Sequence, residues 1–390
     1  MTQSAVISGG SIGGLFAATA LLRAGWHVDV YERTDVELAG RGAGIVTHDT
    51  LIDALQAVGA NVTDLGVEVQ DRVAFNKKGN RVTTLPYPQV VTSWDRIHQL
   101  LRQLIPEGCY HLGQHITRYS QTDDAVTVMF ADGGTVSADL LVGADGFRSA
   151  IRGQMLPDVK PKYAGYVVWR ALAHEADLPE NIRRDIFPHF AFYAPSGTQI
   201  IGYPIAGPNN DLRPGRRRYN FVWYAPASPD ILKGMLTDAT GLYHPVSIPP
   251  PLVRNDILKE MQQHAQDMLP STFVDILNWS ERPFFTPIYD HHAPIMHDGR
   301  VCLAGDAACV ARPHVGMGVT KAAQDALSLA RYAGNDLAAY SDERVPASLR
   351  AHLRARDLGA WIFEEDAGNR DGTSHARLAD IMRLTAVTID

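Results

Sequence analysis

Asp306, Pro313 and His314 stand close together in GDAACVARPHVGMG (305–318), a stretch that closes on Gly316 and Gly318. It combines a carboxylate, a rigid ring and bare backbone amides at the start of a helical pattern. A helix N-terminus carries about half a positive charge, and glycines let a ligand approach that backbone. The alternative is a glycine-rich helix start with a capping Asp. Two further acids sit in comparable settings. Glu32 follows an apolar strand, and Gly9, Ser11 and Gly14 precede it in SGGSIGG. Asp145 begins the Asp-Gly of ADLLVGADGFRSAIR (138–152), with Arg148, Ser149 and Arg152 behind it. An acid at the end of the second strand accepts hydrogen bonds from a ribose 2′-hydroxyl and disfavours a 2′-phosphate. The ligand implied is FAD or an NAD-like dinucleotide.

The elements needed to place these groups are legible. SAVISGGSIGGLFAATALLRAGWHVDVYER reads strand, glycine turn, helix, strand. Ser4 to Ser8 is a short β-branched run, and Leu15, Ala18, Leu21 and Leu22 keep helical spacing up to Gly25. Ser11 occupies the second glycine position of the dinucleotide fingerprint, where its small side chain still admits a pyrophosphate to the amides, the first of them at Ile12. Leu140 to Val142 and Val301 to Ala304 are apolar strands that end at the Asp-Gly and Gly-Asp elements. From about 164 to 282 the period changes to two. Tyr166-Val168-Arg170, Phe190-Phe192, Ile201-Tyr203-Ile205 and Tyr219-Phe221-Trp223 read as antiparallel strands, with a hairpin turn at PSG (195–197). Residues 69–85 look like a hairpin inserted from the first domain. From about 322 the chain reads as helical, with a break at Gly334-Asn335.

The order of the three motifs resembles the single-component flavoprotein aromatic hydroxylases, the group typified by p-hydroxybenzoate hydroxylase. The resemblance spans residues 1 to about 340 and leans toward members that act on dihydroxypyridines. It does so through GGSIGGL, YAGYVVWR (163–170), IGYPIAG (201–207), NFVWY (220–224) and GDAA…RPH. Three departures stand out. Cys309 replaces a His after GDAA, Thr320 replaces an Asn, and Trp94 replaces an Arg, with Arg96 two residues on. The resemblance implies an α/β fold in which a Rossmann-like FAD-binding domain (1–68, 92–163, 283–340) interleaves with an antiparallel-sheet substrate domain (69–91, 164–282). A helical segment (341–390) follows. It also implies tightly bound FAD, with Asp306 on the ribityl chain and Pro313 against the isoalloxazine. The amides around Gly318, Val319 and Thr320 would then face the flavin N1–C2=O edge. Gly9, Ser11, Ile12, Gly14, Glu32, Arg33, Arg41, Asp145, Arg152 and Gly316 complete the expected cofactor contacts.

No second dinucleotide fingerprint occurs, so NAD(P)H is expected to bind transiently. The implied cycle has NAD(P)H reduce FAD, O2 add at flavin C4a, and the hydroperoxide hydroxylate an electron-rich ring. His314, Tyr203 and His48 are the candidates for assisting ionisation of the ring hydroxyl. Arg170, Phe192, Tyr203 and Trp223 are the candidate substrate contacts. A small aromatic or N-heterocyclic substrate is expected, a dihydroxypyridine first. A phenolic or benzoate-type ring, or a flavin NAD(P)H oxidase or reductase, remains the alternative. A disulfide reductase would need a Cys-x-x-Cys pair, which is absent.

Composition bounds the rest. The 390 residues carry 36 Lys and Arg against 43 Asp and Glu, a formal net charge of −7, which argues against a nucleic-acid surface. RPGRRR (213–218) reads as a solvated hairpin tip. Cys109, Cys302 and Cys309 have neither disulfide nor metal spacing, so no metal and a cytoplasmic setting are expected. No apolar run reaches the ~18 residues of a membrane span, and the N-terminus shows no charged leader. A homodimer is the expected assembly.

Overall fold

The computed structural model describes residues 2–38, 44–363 and 374–387; Arg41, one expected cofactor contact, lies outside them. Ser4–Ser8 is the centre of a six-stranded sheet. Its parallel neighbours are His27–Tyr31 and Leu140–Gly143, and Val301–Leu303 follows beyond the latter. Tyr110–His111 and His297–Asp298 close the two edges. The central strands are apolar on both faces because helices cover one, and the three-stranded sheet of Ile116–Gln121, Val126–Phe130 and Thr135–Ala138 packs on the other. Helix Ile12–Arg23 buries nine of its twelve residues and packs on helix Gly318–Tyr332. This topology brings the C-terminal ends of Ser4–Ser8, Leu140–Gly143 and Val301–Leu303 to one edge. Those ends are where Gly9, Asp145 and Asp306 follow, and open α/β sheets bind ligands there.

The second layer is a nine-stranded sheet. In order it runs Cys309–Val310, Phe284–His292, Lys162–His174, Arg218–Pro226, Gln199–Ile205, Phe190–Tyr193, Val67–Phe75, Arg81–Ser93 and Gly44–Val46. The expected antiparallel sheet is present, with one parallel pair, Phe190–Tyr193 beside Val67–Phe75. Gly44–Val46, expected in the cofactor domain, pairs with Arg81–Ser93 and belongs to this sheet. Both of its faces are buried. Trp169, Phe221 and Trp223 pack against the helices Pro229–Met235, Asn255–Met268 and Ser271–Asn278. Val168, Phe190, Tyr203, Val222 and Tyr224 form the opposite layer, toward the cofactor strands and the C-terminal helix Ser374–Leu384. RPGRRR lies in the loop before Arg218–Pro226, where Arg217 pairs with Glu175 (2.7 Å) and Arg213 with Asp211 (2.5 Å).

Candidate active site

Two connected cavities lie between the sheets. The larger, about 530 Å³, runs from Gly9, Ser11, Glu32 and Arg33 past Asp145 and Phe147 to Asp306 and Pro313. The smaller, about 240 Å³, is lined by Phe190, Ile201, Tyr203, Val222 and Tyr224 on one side, and by Gly316, Gly318 and Val319 on the other. Arg170, Asp306, Val310, Ala311 and Pro313 belong to both.

At the first end, the turn between Ser4–Ser8 and its helix is closed too tightly for a side chain. Gly9 has φ +108°, and a Cβ there would lie 2.4 Å from the Ala144 carbonyl oxygen; one at Gly14 would lie 1.8 Å from the Gly9 oxygen. Ser11 makes no side-chain cap, so the first N–H groups of Ile12–Arg23 are left for a ligand. Ile12 itself turns its side chain into the core. Glu32 already works within the protein. Oε2 accepts from the Gly10 N–H (2.8 Å) and Oε1 from the Thr34 N–H (3.0 Å) and Oγ1 (3.1 Å). Oε2 keeps a lone pair, and the residue lines the cavity.

Asp306 is set deep in the molecule, but its side chain is open to both cavities. Among the described residues its carboxylate accepts no hydrogen bond, and burial raises its pKa. The turn beneath it is held by charges the sequence reading did not single out. Asp325, fully buried, accepts from the Gly305 N–H at Oδ2 (3.0 Å) and from Arg344 Nε at Oδ1 (2.8 Å). Lys321 Nζ donates to the Gly305 carbonyl (2.8 Å). The signal was Lys321 and Asp325, four residues apart on an otherwise apolar helix face. Asp145 Oδ2 caps the next helix by accepting from the Ala150 N–H (2.7 Å). Among the described residues Arg152 makes no ion pair with Asp145, and it lines neither cavity. It is buried and donates to the Phe147 carbonyl (2.8 Å), the Ala307 carbonyl (3.1 Å) and His291 Nε2 (3.0 Å). It clamps the Asp-Gly loop to the Gly-Asp loop.

The smaller cavity redistributes the expected catalytic and substrate residues. Tyr203 and Arg170 line it, and Tyr203 is neutral, with burial raising its pKa to about 12. Arg170 makes no ion pair or hydrogen bond among the described residues, so a cation is left facing the space where the two cavities meet. His314 lines the cavity but is not a free base. Nε2 meets the Tyr166 hydroxyl (2.7 Å) and Nδ1 meets Gln199 Oε1 (3.3 Å). Burial, then the Arg312 charge, lowers its pKa to about 3. His48 sits outside both linings. Its Nδ1 meets Thr320 Oγ1 (2.9 Å), and burial and Arg72 lower its pKa to about 4. Thr320 is fully enclosed by that contact and does not line either cavity.

Two aromatic assignments change. Trp223 lies on the far face of its strand, donating Nε1–H to Thr198 Oγ1 (2.7 Å) against His264. Its neighbours Val222 and Tyr224 face the cavity instead. Phe192 is on the correct face but one layer back, stacked behind Phe190 with ring centroids 5.0 Å apart. Phe190 lines the cavity. Trp94, at a position where the resembling family carries Arg, stacks on His98 (4.7 Å), and Arg96 donates to the Thr63 carbonyl rather than toward the cavity.

These features suit FAD: a glycine turn that excludes side chains, an uncapped helix start, Glu32 at one end, an unpartnered carboxylate midway, and Pro313 with the uncapped start of Gly318–Tyr332 at the other. The comparisons with known proteins agree. Models described as FAD binding domain-like and FAD binding domain match residues 163–290 and 276–358. The 2,6-dihydroxypyridine 3-monooxygenase of Paenarthrobacter nicotinovorans is 33% identical over 84% of this chain and 82% of its own. The structure of 2,6-dihydroxypyridine-3-hydroxylase from Arthrobacter nicotinovorans superposes with a TM-score of 0.87 at 30% identity, covering 93% of both chains. Klebsiella pneumoniae HpxO, complexed with FAD and uric acid, shares the fold at a TM-score of 0.77 and 22% identity, over 98% of this chain and 93% of its own. The chain belongs to the single-component FAD-dependent aromatic hydroxylases, flavoprotein monooxygenases that hydroxylate aromatic rings.

Proposed function

We propose that this hydroxylase takes electrons from transiently bound NAD(P)H and inserts one oxygen atom of O2 into a small hydroxylated N-heterocycle, a dihydroxypyridine first among them. The observation that carries the substrate reading is Arg170. Its guanidinium has no partner among the described residues, and it stands at the junction of the cavities in an aromatic wall of Phe190, Tyr203 and Tyr224. A guanidinium there favours a ring hydroxyl in its ionised form, and an ionised hydroxyl makes the ring electron-rich. Tyr203 supplies a neutral hydroxyl that orients the ring by hydrogen bonding. His314 holds the wall in place through Tyr166 and Gln199 rather than moving a proton. The similarity to 2,6-dihydroxypyridine 3-monooxygenase supports the same substrate class.

FAD, when bound, supplies the oxygen chemistry. The chain's residues supply its seat. Gly9, Ser11, Gly14 and the Ile12 amide would hold the pyrophosphate, Glu32 and Arg33 the adenosine end, and Asp306 the ribityl hydroxyls. Pro313 and the amides of Gly318 and Val319 meet the ring. Reduced flavin is anionic, so an uncapped helix start at its edge lowers the energy of that state. Three unpaired thiols, Cys109, Cys302 and Cys309, support a reducing, cytoplasmic setting. NAD(P)H loss and product mass, followed across hydroxypyridines and hydroxybenzoates, test the proposal. Coupled turnover with 2,6-dihydroxypyridine is expected, lost at least tenfold in Arg170→Met. Coupled turnover with 4-hydroxybenzoate or salicylate, and none with any dihydroxypyridine, would move the substrate to the benzoate class.

A further inference from the structure

The end of the chain returns to the smaller cavity. Helix Ser374–Leu384 buries Ile381 and Met382 in the apolar layer on the sheet's cavity side, and Thr385 and Ala386 behind it are 1% and 3% exposed. Ala386 lines the cavity beside Gly316 and Phe190. Its N–H donates to the His314 carbonyl (3.2 Å), and a Cβ added at Gly316 would come within 3.0 Å of the Ala386 methyl.

One residue holds this segment. Arg72, from the strand Val67–Phe75, has no exposed surface. Its Nη1 donates to the carbonyls of Met382 (2.5 Å) and Thr385 (2.6 Å), and its Nη2 to the Ala386 carbonyl (3.0 Å) and Gln89 Oε1 (2.9 Å). Gln89 Nε2 reaches the same Ala386 carbonyl (3.3 Å) and that of Thr47 (3.1 Å). The guanidinium lies over the Tyr87 ring (4.0 Å) and within 5.2 Å of Phe190, which itself lines the cavity. Burial lowers its pKa to about 10, so it stays charged at neutral pH. Among the described residues no carboxylate pairs with it; the negative end of the C-terminal helix is its counter-charge. A buried cation spent on the last carbonyls of a helix is a device for fixing that helix end in one position.

We propose that residues 381–386 form one wall of the substrate subsite, that Arg72 is the positioning residue for this wall, and that the Ala386 methyl limits the size of ring accepted there. The inference rests on placing the substrate in the smaller cavity. Ala386 has φ +52°, a left-handed conformation that glycine adopts more readily. Ala386→Gly therefore removes the methyl without straining the fold, and Ala386→Asn adds bulk with a side chain that tolerates the left-handed conformation.

The test compares these variants and Arg72→Met with the wild-type holoenzyme. It measures FAD content, thermal midpoint, dissociation constants from substrate-induced changes in flavin absorbance, and kcat/KM for 2,6-dihydroxypyridine and its methylated derivatives. Ala386→Gly should shift the kcat/KM ratio toward a methylated ring by about tenfold, the usual worth of one methyl in an apolar pocket, with FAD content and thermal midpoint kept. Ala386→Asn should shift it the other way. Arg72→Met should raise the substrate dissociation constant and the uncoupled share of NAD(P)H oxidation, with Arg72→Lys restoring part of both. If the Ala386 variants leave the ratio within twofold while Tyr203→Phe alters substrate binding, the C-terminal wall is refuted and the cavity reading stands. If Tyr203→Phe and Arg170→Met also leave substrate binding unchanged, the cavity is not the substrate site and both readings fall together.

Discussion

At the scale of single residues, what matters is which charged groups the protein leaves without partners. Asp306 is open to the cavities, its carboxylate accepts nothing from the described chain, and burial raises its pKa. A hydroxyl-bearing ligand that donates to it favours the ionised form, so binding lowers that pKa again. FAD affinity should accordingly rise with pH through the acid range and level off above the apoprotein's value. Asp306→Ala should weaken FAD at least tenfold at neutral pH, since a charge-assisted hydrogen bond is worth about 1.5–3 kcal/mol. Fluorescence titration of apoprotein measures both, and a pH slope that survives in Asp306→Asn would assign the effect to another group.

At the scale of elements, the strand Arg218–Pro226 shows how one pleat divides two jobs. Val222 and Tyr224 face the cavity, while Phe221 and Trp223 face the helices. Trp223→Phe should lower stability by about 1–3 kcal/mol, through lost packing and loss of the hydrogen bond that Thr198 Oγ1 accepts. It should leave substrate binding unchanged. A change of substrate preference in that variant would return Trp223 to the site. The helix Ala150–Met155 has a similar indirect role. Arg152 joins the Phe147 and Ala307 carbonyls across two loops, so Arg152→Met should loosen FAD and slow its reduction together. Normal flavin reduction with failed hydroxylation would contradict a clamping role.

For the whole molecule, three of the buried histidines carry the largest shifts and weigh most in the response to acid. Desolvation is the main cause for each, followed by a neighbouring arginine. It places His48 at about 4, and His291 and His314 at about 3. These folded values lie below the ordinary 6.5, so the unfolded chain takes up protons first as pH falls. Stability is present in full above about pH 6.5 and declines toward about pH 3. Each histidine accounts for about 2 kcal/mol by pH 5. The thermal midpoint should fall between pH 7.5 and 5, and less steeply in His314→Gln. A flat profile would mean that the histidines are accessible to protons in the fold.

Local pattern was enough for the strands whose ends carry Gly9, Asp145 and Asp306. Gly9, Ser11 and Gly14 before Glu32, the Asp145 and Asp306 elements after apolar strands, and the change of period near residue 164 all depend on neighbours in the chain. The parallel sheet then brings those three strand ends to one edge. The substrate half depended on the tertiary structure. Its sheet is buried on both faces, so Phe221 and Trp223 look as apolar in sequence as Val222 and Tyr224, and alternation cannot say which set meets the ligand. His314 has a ring type suited to catalysis, but the hydroxyl of Tyr166 and the amide of Gln199, both distant in sequence, occupy its nitrogens. Arg72 and Ala386 are 314 residues apart and mark nothing by type or spacing. Only the packing of the C-terminal helix across the sheet makes one the anchor and the other a wall, because the energy of a buried charge is decided by whatever the fold places around it.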